Sequence, residues 1–199
     1  MSSQQYLFLF TIGPVQGFIE QARKTRDLYA GSQILSKLTD AAMNKVAEIN
    51  GANSFVFPHK GSTSKPNRFL AIINTDDIQS FGDAIEAAVR TQWARLATKS
   101  FHSARLSKNL PILDEALIAD LSKKSCLELI ARQSSIAALQ IAEFPDVYWA
   151  AIEYDGTDYV SKSRNLEQLL AGVKNVREIF PNVVFEKKSK RQVCPLFHR

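Results

Sequence analysis

The stretch FTIGPVQGFIEQARKTRDLYAGSQILSKL, Phe10 to Leu38, decides how the chain is read. It starts as the end of an apolar run, QYLFLFTI (Gln5–Ile12), whose large side chains fall on both parities, so it predicts a strand buried on both faces. Gly13-Pro14 ends that run, and Pro14 suits the first turn of a helix. Val15, Phe18, Ile19 and Ala22 then repeat at the spacing of one helix face. A polar, basic knot follows, Arg23-Lys24-Thr25-Arg26-Asp27, and after it a Gly31-Ser32 pair. The apolar pattern resumes at Ile34, Leu35, Leu38, Ala42, Val46 and Ile49. The interruption over 24–32 therefore predicts two helices with a break between them and Ser32 as N-cap of the second.

Outward from this stretch, SFVFPH (Ser54–His59) and RFLAIIN (Arg68–Asn74) flank the turn-rich KGSTSKPN and predict a hairpin. Thr75-Asp76-Asp77 opens a helix expected to reach about Ala97, with Thr75 or Asp76 as its cap. A mostly helical region follows, broken at Pro111 and resuming from Ile112 to Arg132. DVYWAAIEYDG (Asp146–Gly156) is apolar on both parities and predicts a central strand, and a last helix spans Asn165–Ile179. The order strand, helix, strand, strand, helix, strand predicts an α+β, ferredoxin-like βαββαβ domain over 1–185, with a helical insertion at about 98–143 between strands 3 and 4 and a basic tail at 186–199.

Composition narrows the function classes. The 199 residues are 45% hydrophobic and 23% charged, an ordinary globular balance. No apolar run is long enough to span a bilayer, and the N-terminus does not read as a secretory signal. Two cysteines, Cys126 and Cys194, make no disulfide framework, so a cytoplasmic setting is the default. The net charge of +5 is concentrated in the tail and in an acid-free stretch from Ala87 to Leu113 that holds Arg90, Arg95, Lys99, Arg105 and Lys108. Such clusters attract phosphates, and Arg95, Lys99, Arg105 and Lys108 are candidate RNA contacts beside the plainer reading of a solvated helix face.

The segment IGPVQGFIEQARKTRDLYAGSQILSKL closely resembles the first palm-like domain of the large subunit of Cmr-type (type III-B) CRISPR effector complexes. LLAGVKNVREIF (Leu169–Phe180) followed by KRQVCPLFHR resembles the family stretch that leads into zinc-binding cysteines. The resemblance implies a palm related to polymerases and nucleotidyl cyclases. It further implies a second palm, elsewhere in the family, that makes cyclic oligoadenylate from ATP, an HD nuclease in many members, and partners among the other effector subunits, crRNA and target RNA.

Palm catalysis needs carboxylates at the end of the first strand and on the next hairpin, where they hold two divalent metals. Here these positions read FTIGP and HKGSTSKP, without an acid, so the palm is expected to be catalytically silent. His59, His102 and His198 are not followed by Asp, and the first strand begins so early that no HD domain is expected before it. At the tail, Cys194 and His198 supply two zinc ligands at most, because Phe197 stands where a second cysteine is expected, and the chain is expected to be a fragment or split component. Motifs for P-loops, dinucleotide binding, zincins and serine hydrolases are absent.

In the family, the region of the basic knot lies near the interface of the two palms, where ATP binds. Arg23, Lys24, Arg26 and Ser32 are therefore candidates for a nucleotide or subunit contact. An intrahelical ion pair between Arg23 and Asp27 is the structural alternative. Two rival functions remain: a stand-alone RNA- or nucleotide-binding protein, and a small cyclase using Asp76 and Asp77.

Overall fold

The computed structural model describes residues 3–20, 22–62, 65–103, 115–132 and 134–175. Strand β1 (Gln4–Gly13) is followed by the short helix α1 (Val15–Glu20) and the long helix α2 (Thr25–Asn50). Strands β2 (Phe55–Phe57) and β3 (Arg68–Thr75) form the hairpin, and α3 (Ile78–Ser103) runs on beyond the expected Ala97. Three short helices, α4 (Glu115–Asp120), α5 (Lys123–Ala131) and α6 (Ser135–Glu143), precede β4 (Asp146–Glu153) and α7 (Tyr159–Asn175). The described residues are α+β, with four strands in the order β2-β3-β1-β4 and every neighbour antiparallel.

β1 is buried along nearly its whole length because helices cover both of its faces. Tyr6, Phe8, Phe10 and Ile12 point to one side, where Leu35, Leu38, Ala42, Met43 and Val46 of α2 meet Ile78, Phe81, Ile85 and Val89 of α3. The alternate residues Leu7 and Leu9 point to the other, where they pack with Ala150 against Leu166 and Leu170 of α7. The first layer is aromatic: the Phe8 and Trp149 rings stack at 5.6 Å and those of Phe10 and Phe69 at 4.8 Å. Gly82 lets α3 lie directly on this layer, since a Cβ there would sit 2.1 Å from the Trp149 ring.

Two expectations are corrected here. β4 is buried on both faces, as its composition predicts, yet among the described strands it lies at the edge of the sheet. Apolar residues on both parities report that both faces are covered, and they carry no information about a neighbour in the hydrogen-bonding direction. The cap of α3 is Asp77, later than expected: its Oδ1 accepts from the N–H groups of Gln79 and Ser80, both at 3.0 Å. The Thr75 hydroxyl instead accepts from the Asp77 N–H at 3.2 Å.

The α3–α6 region has its own small core of Ala97, Ile130 and Ala138. Ser122 and Ser134 cap α5 and α6. Trp93 ties α3 to α6 by donating from Nε1 to the Ile141 carbonyl at 3.1 Å.

Candidate functional site

The basic knot is the start of α2, and the break in the chain comes earlier than its composition suggests. α2 begins at Thr25, with Lys24 as its N-cap residue. The Lys24 carbonyl accepts the first helical bonds, from the N–H groups of Asp27 at 2.9 Å and Leu28 at 3.1 Å, but no side chain caps the helix. Gly31 and Ser32 are therefore helical. Gly31 is buried and Ser32 is exposed two turns inside α2, so Ser32 is not an N-cap. Its hydroxyl and the Arg26 side chain leave the helix in directions about 120° apart at 3.6 residues per turn. Arg23 precedes the helix, so it does not share a helical turn with Asp27, and the alternative of an intrahelical i, i+4 pair does not apply.

What the fold does bring together is Arg23, Lys24 and Arg26, all exposed at the positive end of one helix dipole. Leu28 and Tyr29 follow, 43% and 67% exposed. Cations at a helix N-terminus are electrostatically adverse, and the leading N–H groups have no intrahelical acceptors, so apart from the Asp27 carboxylate in the first turn the local charge favours an anion.

A second basic region lies further along the helix layer. Lys37, Asp40 and Asn44 of α2, Gln92, Arg95 and Lys99 of α3, and Ile118 of α4 line a hollow of about 410 Å³. Arg95 and Lys99 are thus held together, one turn apart, while Arg105 and Lys108 fall outside the described residues. The hairpin loop adds two residues that sequence reading missed. Lys60 lies 3.7 Å from Asp40 Oδ1 and donates to Asn44 Oδ1. Lys65, with its side chain only 7% exposed, lies 4.0 Å from the same Asp40 oxygen. The loop is anchored over α2, where the Lys65 N–H donates to Ser36 Oγ at 2.9 Å. Lys37, Lys60 and Lys65 carry no periodic signal, since only tertiary packing brings a helix flank and a hairpin loop together.

The end of β1 shows what a palm would need. Ile12 and Asn67 exchange hydrogen bonds there, so the hairpin loop does sit at the C-terminal end of β1. Its described residues present His59, Lys60 and Lys65 rather than carboxylates. β4 brings one acid opposite, Asp146 across from Gly13. Asp76 and Asp77 lie at the other end of the sheet, just beyond the Thr75–Gln4 pair. The Asp77 carboxyl is held below its ordinary range by hydrogen bonds from the Ser80 hydroxyl and from the N–H groups of Ser80 and Gln79. Among the described residues no three His, Cys, Asp or Glu side chains cluster as metal ligands. Cys194 and His198 lie outside the described residues.

The comparisons can now be set on this geometry. Residues 7–64 match the family model of the N-terminal region of CRISPR-associated protein Cmr2. The matched segment carries β1, α1, α2, β2 and the start of the hairpin loop, and so includes the whole basic knot. This part of the chain is similar to the N-terminal region of that large subunit. A search of curated proteins finds no match. No helix among the described residues is long and apolar enough to cross a membrane.

Proposed function

We propose that this chain is a non-catalytic palm domain from the large subunit of a type III-B CRISPR RNA-guided effector complex. It scaffolds the assembly and contributes one wall of an ATP pocket completed by a second palm. The observation that carries this reading is the coincidence of the Cmr2 N-terminal match with the segment that builds β1, β2 and the basic start of α2. The sheet order supports it: β2-β3-β1-β4, all antiparallel, is the order a ferredoxin-like βαββαβ chain adopts, with α4–α6 as the helical insertion before the last strand. Two-metal phosphoryl chemistry needs several carboxylates converging on one point. The described end of β1 offers Asp146 opposite Gly13 and basic residues beside it, which supports a binding role over a catalytic one.

ATP fits the start of α2 chemically. Its triphosphate is a concentrated anion, and Arg23, Lys24 and Arg26 surround helix N–H groups that lack a side-chain cap. Other effector subunits, crRNA and target RNA are the partners this reading implies. The alternative, a stand-alone RNA- or nucleotide-binding protein, draws on the basic hollow between α2, α3 and α4.

The test is reconstitution with the remaining type III-B subunits. Lys24→Ala or Arg26→Ala is expected to weaken ATP binding by the complex about ten-fold, close to 1.4 kcal/mol, while thermal melting of the chain barely moves. Failure of the chain to co-assemble rejects the subunit reading. Co-assembly with unchanged ATP binding in both variants removes the nucleotide site and leaves the scaffold.

A further inference from the structure

The hollow lined by Lys37, Arg95 and Lys99 does not end at α4. It runs into a more open trough of about 690 Å³ along the outer side of the α2–α3 pair, and the two share Ala41, Asn44, Gln92 and Arg95. Along α3 the lining extends from Ala84 to Lys99, about 22 Å at the helical rise. The floor is made of alanines, Ala41, Ala84, Ala87 and Ala88, so the backbones lie close to the surface. Lys37 is about 20 Å along α2 from Lys24, which separates this trough from the basic start of the helix.

We propose that the α2–α3 trough binds the phosphodiester backbone of single-stranded nucleic acid. This rests on the RNA-guided part of the reading above and is independent of the ATP site. Three observations carry it. First, basic side chains outnumber carboxylates along the trough, and each carboxylate is matched: Asp40 by Lys60 and Lys65, and Glu48 by Lys45 at 2.6 Å. A phosphate entering the trough therefore meets a positive field with the acids already compensated. Second, one of the donors is pre-ordered. Arg95 is anchored by its Nε, which donates to the Leu121 carbonyl at 2.9 Å, and the terminal nitrogens of a planar guanidinium suit phosphate oxygens. Lys99 lies one helical turn further on and Lys37 lines the facing helix. Third, among the described residues no aromatic side chain lines the trough to stack bases. The chemistry is that of backbone contacts, blind to sequence and steeply dependent on salt.

The probe is a fluorescently labelled uridine oligonucleotide about a dozen residues long. Binding to the full chain is followed by anisotropy between about 50 and 200 mM salt. Lys37→Glu with Lys99→Glu is compared with a control of equal charge change, Lys124→Glu with Arg164→Glu, placed on exposed surface of α5 and α7. The trough pair is expected to lose more than ten-fold in affinity, and its salt slope to fall by about 1.4, or 0.7 for each single-strand phosphate contact removed. The control is expected to stay within about three-fold, because screening isolates distant charges. Circular-dichroism melting checks each fold, and Lys37→Gln with Lys99→Gln replaces the reversal pair if that pair melts early. No binding by the parent chain, equal losses in trough and control variants, or an unchanged salt slope overturns the proposal. If only Arg23, Lys24 and Arg26 substitutions weaken oligonucleotide binding, the trough is rejected while the α2-start site stands. Loss of the ATP site alone leaves the trough untouched.

Discussion

The two halves of α2 obey different rules. From Leu35 to Val46 the helix lays Leu35, Leu38, Thr39, Ala42, Met43 and Val46 into the sheet core. From Thr25 to Ala30 every residue is exposed, although Leu28 and Tyr29 are large and apolar enough to be buried. The inner half is held by packing, which is where most helical stability in proteins arises. The outer half has continuous helical geometry but no side-chain cap, and at its positive end three cations stand against the one favourable carboxylate, Asp27. A helix that continues past its packing support while breaking the local rules for a helix start is spending stability on something else. The proposed anion site at that end accounts for the difference.

The largest effect should separate the halves directly. Leu38 is fully buried, so Leu38→Ala is expected to cost about 2–5 kcal/mol in urea unfolding. Tyr29→Ala, on the same helix, should cost no more than about 0.5 kcal/mol. A Tyr29 cost comparable to that of Leu38 would show that the outer half is packed and would dissolve the contrast.

The next effect concerns the helix start. Lys24→Asp supplies the missing cap and a favourable charge, and is expected to raise stability by about 0.5–1 kcal/mol while weakening anion binding. α3 is the reference, because Asp77 already caps it. Asp77→Ala should lower the melting temperature at neutral pH. The folded Asp77 carboxyl titrates below the ordinary carboxylate range, so the stability it contributes is present above that range and lost as pH falls through the lower folded value. The difference between Asp77→Ala and the parent should therefore shrink in acid. A deficit that persists unchanged well below pH 3.8 would show that the carboxylate is not the origin.

The smallest effect is also the sharpest about the outer half. If Ser32 capped a helix, Ser32→Ala would destabilise by about 1 kcal/mol. At an exposed helix-interior site the change should instead stabilise by a few tenths of a kcal/mol, since alanine is the better helix former. Differential scanning calorimetry gives the sign.

Much of this molecule was legible in the residues. The double-sided apolar run of β1, the β2–β3 hairpin and the inner face of α2 are local patterns, and each formed within a few residues of its expected place. Arg23, Lys24 and Arg26 were visible as a basic knot, because charge is written in the sequence whatever the fold does with it. The break was misplaced because Gly31-Ser32 is a better local punctuation than Lys24, yet the helical bonds of α2 run through it. The register of Asp77 as cap turned on hydrogen-bond geometry that neighbouring Thr and Asp side chains could equally supply.

By itself, then, the sequence determined which segments are apolar on one or both faces and where positive charge accumulates, because periodicity and charge are properties of neighbours along the chain. Only the tertiary structure decided that β4 lies at the edge of the described strands and that Lys60 and Lys65 compensate Asp40. Only packing, likewise, brought Lys37 to face Arg95 and Lys99 across one hollow. Those are meetings of residues far apart in the chain, set by which helix covers which strand. No local pattern encodes such a meeting, since the free energy that selects it is the burial of the sheet's central part between helices on its two faces.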